Sequence, residues 1–290
     1  MLDELMNVSP AWYLCAAGAA VLTTGLVAAR KDIARAETTE KVVALGHLCF
    51  AVPLAVFGAE HFTSVAAMTR MVPPYMPFRA FWIYFVGVAL IAASFSIATR
   101  NLVRWSGALF GVMMFLFVAM LYLPSALKTG ERFTWTIVFR EMSFGAGGLA
   151  LAGVAMGAKG KPLCSVGRVL IGMTALFFGV QHFLHPLGMP GVPLQKLMPD
   201  WVPVRPLIGY LTGGGLVVAA ACFLSGRKAR LAAIYLGTWI VLLVAVIYVP
   251  TMIGALASGI DATRIEGLNY FADTLLFGGV ILSLAQRPAE

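Results

Sequence analysis

Apolar residues run along the chain in nine long blocks, at 11–29, 41–63, 80–99, 103–124, 134–157, 165–184, 206–225, 229–250 and 266–285, with short polar or proline-rich connections between them. Each block is close to the roughly 20 residues that carry a helix across about 30 Å of hydrocarbon. The pattern predicts an all-α integral membrane protein with nine transmembrane helices. The connection from 29 to 41, with Arg30, Lys31, Asp32, Arg35, Glu37 and Glu40, reads as a solvated loop. The turns at 99–103 and 225–229 are so short that the blocks on either side of each must form an antiparallel hairpin.

The polar connections show that the pattern is written twice. Residues 70–84, RMVPPYMPFRAFWIY, return as residues 196–210, KLMPDWVPVRPLIGY. One constant offset carries Pro73 to Pro199, Pro77 to Pro203, Arg79 to Arg205, Tyr84 to Tyr210 and Gly87 to Gly213, and further on Arg104 to Arg230, Tyr122 to Tyr248 and Pro124 to Pro250. Just before this stretch, Gly58-Ala-Glu-His-Phe62 matches Gly179-Val-Gln-His-Phe183 if the second copy has a longer loop. The organisation expected is an N-terminal helix and loop (1–40), repeat one (41–162) and repeat two (163–290), each repeat with four spans. Four spans separate the copies, so both begin on the same side. They are parallel repeats about an axis along the membrane normal, which counts against the inverted-repeat transporters.

Composition agrees with a polytopic chain: 60% of residues are hydrophobic and 12% charged, with a mean hydropathy of +0.87. The net charge of +8 is spread over short connections and forms no run for nucleic acid. It reads as a topology signal: Arg30, Lys31, Arg35, Lys41, Arg100, Arg104, Lys159, Lys161, Arg168, Arg227, Lys228, Arg230 and Arg287 fall on one side, with fewer basic residues on the other. The positive-inside bias places the N-terminus outside and the C-terminus inside. Asp3 and Glu4 stand where a leader would be positive, so the first block is kept as a helix. Its Gly and Ala content suits packing against the repeats or against a membrane or redox partner. Cys15, Cys49, Cys164 and Cys222 are scattered and read as small packing residues, with no metal site.

In each repeat the first outer loop is long and proline-rich, which predicts a compact, non-helical cap that either only seals the bundle or forms a lid over a ligand, with Tyr75, Trp82 and Trp201 at the headgroup level. The Gly-x-x-His-Phe segment, the Met-Val-Pro-Pro-Tyr-Met-Pro loop and the Gly-containing span after it resemble the DoxX-like family of four-helix bacterial membrane proteins, here as a tandem duplication. The resemblance covers about residues 41–286. It implies a four-helix unit and, for some relatives, a role as a membrane subunit of quinone-linked sulfur oxidoreductases. A fused double copy departs from the usual single unit.

Ionisable groups inside spans are costly and are functional candidates. Glu60, His61, Arg140, Glu141, His182 and Asp273, with Gln181 and Asn269, fall in the outer third of the spans, whereas His47 lies in the inner half. His61 and His182 hold equivalent positions that a pseudo-two-fold axis would bring together. As interfacial residues they would bond loop carbonyls, as ligand residues they would hold a quinone, and as axial ligands they would hold one haem. Arg168 stands where a second copy of His47 would be, against a two-haem site. Arg140 and Glu141 point about 100° apart on a helix and are expected not to pair with each other. Glu141 or Asp273 would bond Arg140 to lock helices, or move protons. Tyr84, Tyr122, Tyr210 and Tyr248 add phenolic donors at matched positions, although Tyr122 and Tyr248, each two residues before a proline, read equally well as structural corners.

The function these residues point to is binding of a lipophilic redox ligand, a quinone before a haem, in an outer-half pocket between the repeats. Glu141 and Asp273 would be the proton-moving residues, with His61, His182, Glu60, Arg140, Tyr84, Tyr210 and Asn269 around the ligand. Enzymatic activity would be that of a quinone-linked oxidoreductase component. A non-catalytic membrane subunit or assembly factor, docked through the first helix, and a small-solute transporter are the competing readings. The blocks show no broken helix of the kind found at many transporter sites.

Overall fold

The computed structural model describes residues 8–287. Asp3 and Glu4 lie outside them. Among the described residues there is no strand, and nine helices are long and apolar enough to cross a membrane. The helices are α1 (Pro10–Arg35), α2 (Thr38–Thr63), a single turn α3 (Val65–Thr69), α4 (Arg79–Ala98), α5 (Val103–Phe117), α6 (Leu123–Thr129), α7 (Arg132–Ala155), α8 (Lys161–Leu184), α9 (Arg205–Ser225), α10 (Ala229–Leu243), α11 (Val249–Leu256) and α12 (Asp261–Ser283). Exposed Val88, Leu109, Val112, Val218 and Tyr235 face outward, as a bilayer solvent requires.

The structure differs from the sequence reading in three places. The stretch from 29 to 41 is not a solvated loop: α1 continues to Arg35 and α2 starts at Thr38, so only Ala36 and Glu37 connect them. The spans beginning at Val103 and Ala229 do not end at Pro124 and Pro250. A π-helical turn, Val118–Tyr122 or Val244–Tyr248, precedes each proline, and the helix then runs on to Thr129 or Leu256. Proline cannot donate to the carbonyl four residues back and its ring crowds it, and the wider π turn takes up both defects without breaking the rod. Two spans therefore carry a π turn that was not expected.

Backbone features recur at the repeat offset. Phe78 and Val204 precede α4 and α9 in the left-handed region (φ 52° and 44°), and Leu102 and Lys228 do the same before α5 and α10 (φ 57° and 54°). Each gives a sharp re-entry into a helix, after a long loop at Phe78 and Val204 and after a tight turn at Leu102 and Lys228.

The spans after α1 close into a ring. Helix α2 packs on α4, α5 on α7, α7 on α8, α8 on α9, and α10 and α11 on α12, which returns to α2. Close approach is bought by glycine: a Cβ on Gly107 of α5 would meet the Gly148 carbonyl of α7 at 2.7 Å, and one on Gly279 of α12 would meet the Phe50 nitrogen of α2 at 2.5 Å. Helix α12 also touches α7, pinching the ring into two bundles. Helix α1 lies outside against α2, with Leu14, Gly18, Val21 and Gly25 buried on its own chain.

The two proline-rich loops go to different places. The first carries exposed Tyr75 and caps its bundle. The second, residues 185–204, was expected to be a cap as well, but it folds inward: Met189, Val192, Leu194, Met198 and Val202 are buried in the main core. It doubles back through an antiparallel bridge between Gly188 and Leu197, and exposed Trp201 marks its outer edge. Its extra residues supply the apolar side chains that make entry favourable.

Candidate functional site

The first bundle forms a partly open cavity of about 560 Å³. Its wall is apolar and soft: Phe57 of α2, Met68 of α3, Met71 and Met76 of the first proline loop, Trp82 and Phe85 of α4, Phe110, Met113, Met114 and Phe117 of α5, and Phe144 of α7. Methionine and aromatic side chains adapt to an apolar occupant. The Trp82 indole donates to the Pro77 carbonyl at 3.0 Å, which ties the loop to α4 at the rim.

Polar groups gather on the side facing α7 and α12. Arg140 donates to Glu141 Oε1 through Nε at 3.0 Å and through Nη2 at 2.5 Å, and to Asp273 Oδ2 through Nη1 at 2.6 Å. The Asn269 amide donates to Glu60 Oε1 at 3.1 Å. All five side chains line the cavity, together with His61 and Tyr122. One guanidinium and three carboxyl groups thus share a small buried region. The Arg140 side chain is 16% exposed, Glu141 7% and Asp273 8%, so these charges depend on one another for solvation.

This geometry revises several expectations. Arg140 and Glu141 do pair: the 100° between their Cβ directions is bridged because the arginine chain is long enough to fold its guanidinium back over its neighbour. Arg140 also pairs with Asp273, so α7 and α12 are locked by one residue. Its guanidinium carbon lies 6.0 Å from the Phe144 ring centre.

His61 and His182 are not brought to one ligand. His61 lines the cavity, whereas His182 is buried in the second bundle with its Nε2 accepting from the Gly191 backbone N–H at 3.0 Å. This leaves no shared site for a quinone or haem between them, because the ring of helices gives each histidine its own bundle. Tyr84 and Tyr210 are also outside the cavity. Each is about half exposed on the outer surface and lies near the phenylalanine after its repeat's histidine: Phe62 and Tyr84 ring centres are 6.0 Å apart, Phe183 and Tyr210 6.1 Å. They are matched pairs that brace α2 on α4 and α8 on α9. His47 is buried near Arg100, with Nδ1 at 3.3 Å from Nη2.

The sequence reading missed the methionines. Met68, Met71 and Met76 sit in or beside a loop read as a cap, and their density there is the signal that the loop also forms a wall. It also missed that the cavity belongs to one bundle, bordered by repeat two only through Asn269, Asp273 and Leu276 of α12. No family model, curated protein or solved structure matches the chain.

Proposed function

We propose that this protein is a DoxX-like protein of a bacterial inner membrane, N-terminus outside, that binds one lipophilic redox ligand of the quinone class in the first-bundle cavity and serves a quinone-linked oxidoreductase. The observation that supports this most directly is the two-sided character of the cavity. A methionine and aromatic wall suits an apolar body, and convergent polar groups on one side suit a polar head, the usual composition of a small-molecule site.

His61 and Tyr122 would orient the head. Glu141 and Asp273, held by Arg140, and Glu60, held by Asn269, provide carboxyl groups beside it that can take up and release protons. A bound quinone would supply the electron chemistry; the chain supplies the apolar fit, the orientation and the proton-bearing groups. His182, Tyr84 and Tyr210 have no part in this site.

The test is a native mass spectrum of the chain released from mild detergent. A quinone-sized adduct is expected on the unaltered chain and is expected to lose occupancy on Met114→Trp, which pushes an indole into the cavity from its wall. An adduct of undiminished occupancy on this variant would place the ligand elsewhere and refute the proposal.

A further inference from the structure

His61 and His182 make the same first hydrogen bond. Nδ1 of each lies 2.7 Å from the carbonyl oxygen four residues back, Phe57 or Phe178. A carbonyl only accepts, so Nδ1 carries the proton and a neutral ring presents Nε2 as an acceptor. In the second bundle that acceptor is met by the Gly191 N–H at 3.0 Å. The carbonyl of the same peptide group, Pro190 O, accepts from the Tyr248 hydroxyl at 2.7 Å. One peptide unit of the inserted loop is therefore held between a histidine and a tyrosine.

The first bundle has the same histidine and the same tyrosine without the peptide. Tyr122 sits on the first π turn as Tyr248 sits on the second. Among the described residues neither His61 Nε2 nor the Tyr122 hydroxyl has a hydrogen-bond partner, and both residues line the cavity. The register agrees. A Cβ on Gly191 would meet Thr274 Cγ2 at 3.1 Å and Ile240 Cδ1 at 3.4 Å, and Ile240 stands at the repeat offset from Met114, a wall of the cavity. Gly191 has φ of +103°, which lets the chain turn at this depth. Arg132 steadies the insertion by donating to the Pro193 carbonyl at 3.0 Å.

We infer that repeat two is a copy of the ligand site closed by its own loop, and that the Pro190–Gly191 peptide is a template for the ligand of repeat one. That ligand is an apolar molecule whose head donates a hydrogen bond to His61 Nε2 and accepts one from the Tyr122 hydroxyl, bound once per chain. The inference rests on the cavity being a ligand site, as proposed above. Within the quinone class it selects the hydroxylated, reduced form, because an oxidised quinone offers carbonyl acceptors and nothing for Nε2 to accept. A secondary amide with an alkyl tail meets the same two demands.

The test titrates the full chain in mild detergent with an alkylated benzoquinol, the same compound as its benzoquinone, and N-decylacetamide, reading calorimetric stoichiometry and affinity. Benzoquinol and amide are each expected to bind once per chain, the benzoquinol about tenfold more tightly than the benzoquinone, the worth of one hydrogen bond. His61→Leu should erase that difference, Tyr122→Phe should weaken the amide about tenfold, and His182→Leu should leave the preference unchanged. Two ligands per chain, a benzoquinone bound as tightly as the benzoquinol, or a preference unmoved by His61→Leu would overturn the template. Amide binding that depends on His61, with neither quinone form bound, would uphold the template and refute the quinone class. Failure of all three probes to bind would refute both.

Discussion

Arg140→Met isolates the buried charge cluster. The substitution keeps most of the apolar stem of the side chain but leaves Glu141 and Asp273, both almost wholly buried, without the guanidinium that bonds them at 2.5 to 3.0 Å. Removing one partner of a buried ion pair costs about 3–5 kcal/mol. Because the cluster borders a cavity of about 560 Å³ that can relax around it, the lower end is expected, about 3 kcal/mol. Against a total stability of about 5–15 kcal/mol this is a large fraction, and at about 2–4 °C per kcal/mol it lowers the unfolding midpoint by about 6–12 °C. Thermal unfolding in mild detergent, followed by tryptophan fluorescence, measures it. The triple variant Arg140→Met, Glu141→Gln, Asp273→Asn should recover most of the loss, since no charge is then left without a partner. A loss below about 1 kcal/mol in the single variant, or a triple variant no better than the single, would refute the reading of Arg140 as the lock between α7 and α12.

Three further outcomes are expected. Gly148→Ala places a methyl 2.7 Å from the Gly107 carbonyl and should cost about 1–3 kcal/mol in the same unfolding assay, whereas Gly214→Ala, with nothing within 4 Å, should change stability by less than about 0.5 kcal/mol. Gly25→Leu drives a side chain into Leu48 and should lift α1 from the bundle, seen as faster proteolysis between α1 and α2 with the remaining spans intact. Arg132→Ala frees the Pro193 and Leu194 carbonyls and should raise hydrogen exchange across residues 189–198 while leaving exchange in the first proline loop unchanged.

The nine spans were legible because each is a long apolar run, and composition alone decides that such a run is a helix in lipid. The ends were less legible where two rules compete. Pro124 and Pro250 are local stop signals, but the packed rods beyond them outweigh one missing hydrogen bond, and a π turn settles the conflict. Side-chain reach was the second blind spot: residues at successive helical positions diverge at Cβ, yet the flexible arginine of Arg140 rejoins Glu141. The matched histidines suggested one shared site because symmetry in sequence was read as proximity in space. What separates them is the destination of the second loop, and only its surplus of Met189, Val192, Leu194 and Met198 hinted that it was too apolar to remain a surface cap.

The ring of helices sets a timetable for biogenesis. Helix α2 is made well before its long-range partner α12, and the two meet where Gly279 lies against the Phe50 backbone and through the Asn269 to Glu60 hydrogen bond. During most of synthesis α2 must therefore stand in the bilayer with Glu60 lacking that amide and with a glycine-complementary face turned to lipid. A chain truncated before residue 261 loses the closing wall of the first bundle although every residue of repeat one is present. The first bundle is thus complete only once α12 has joined it.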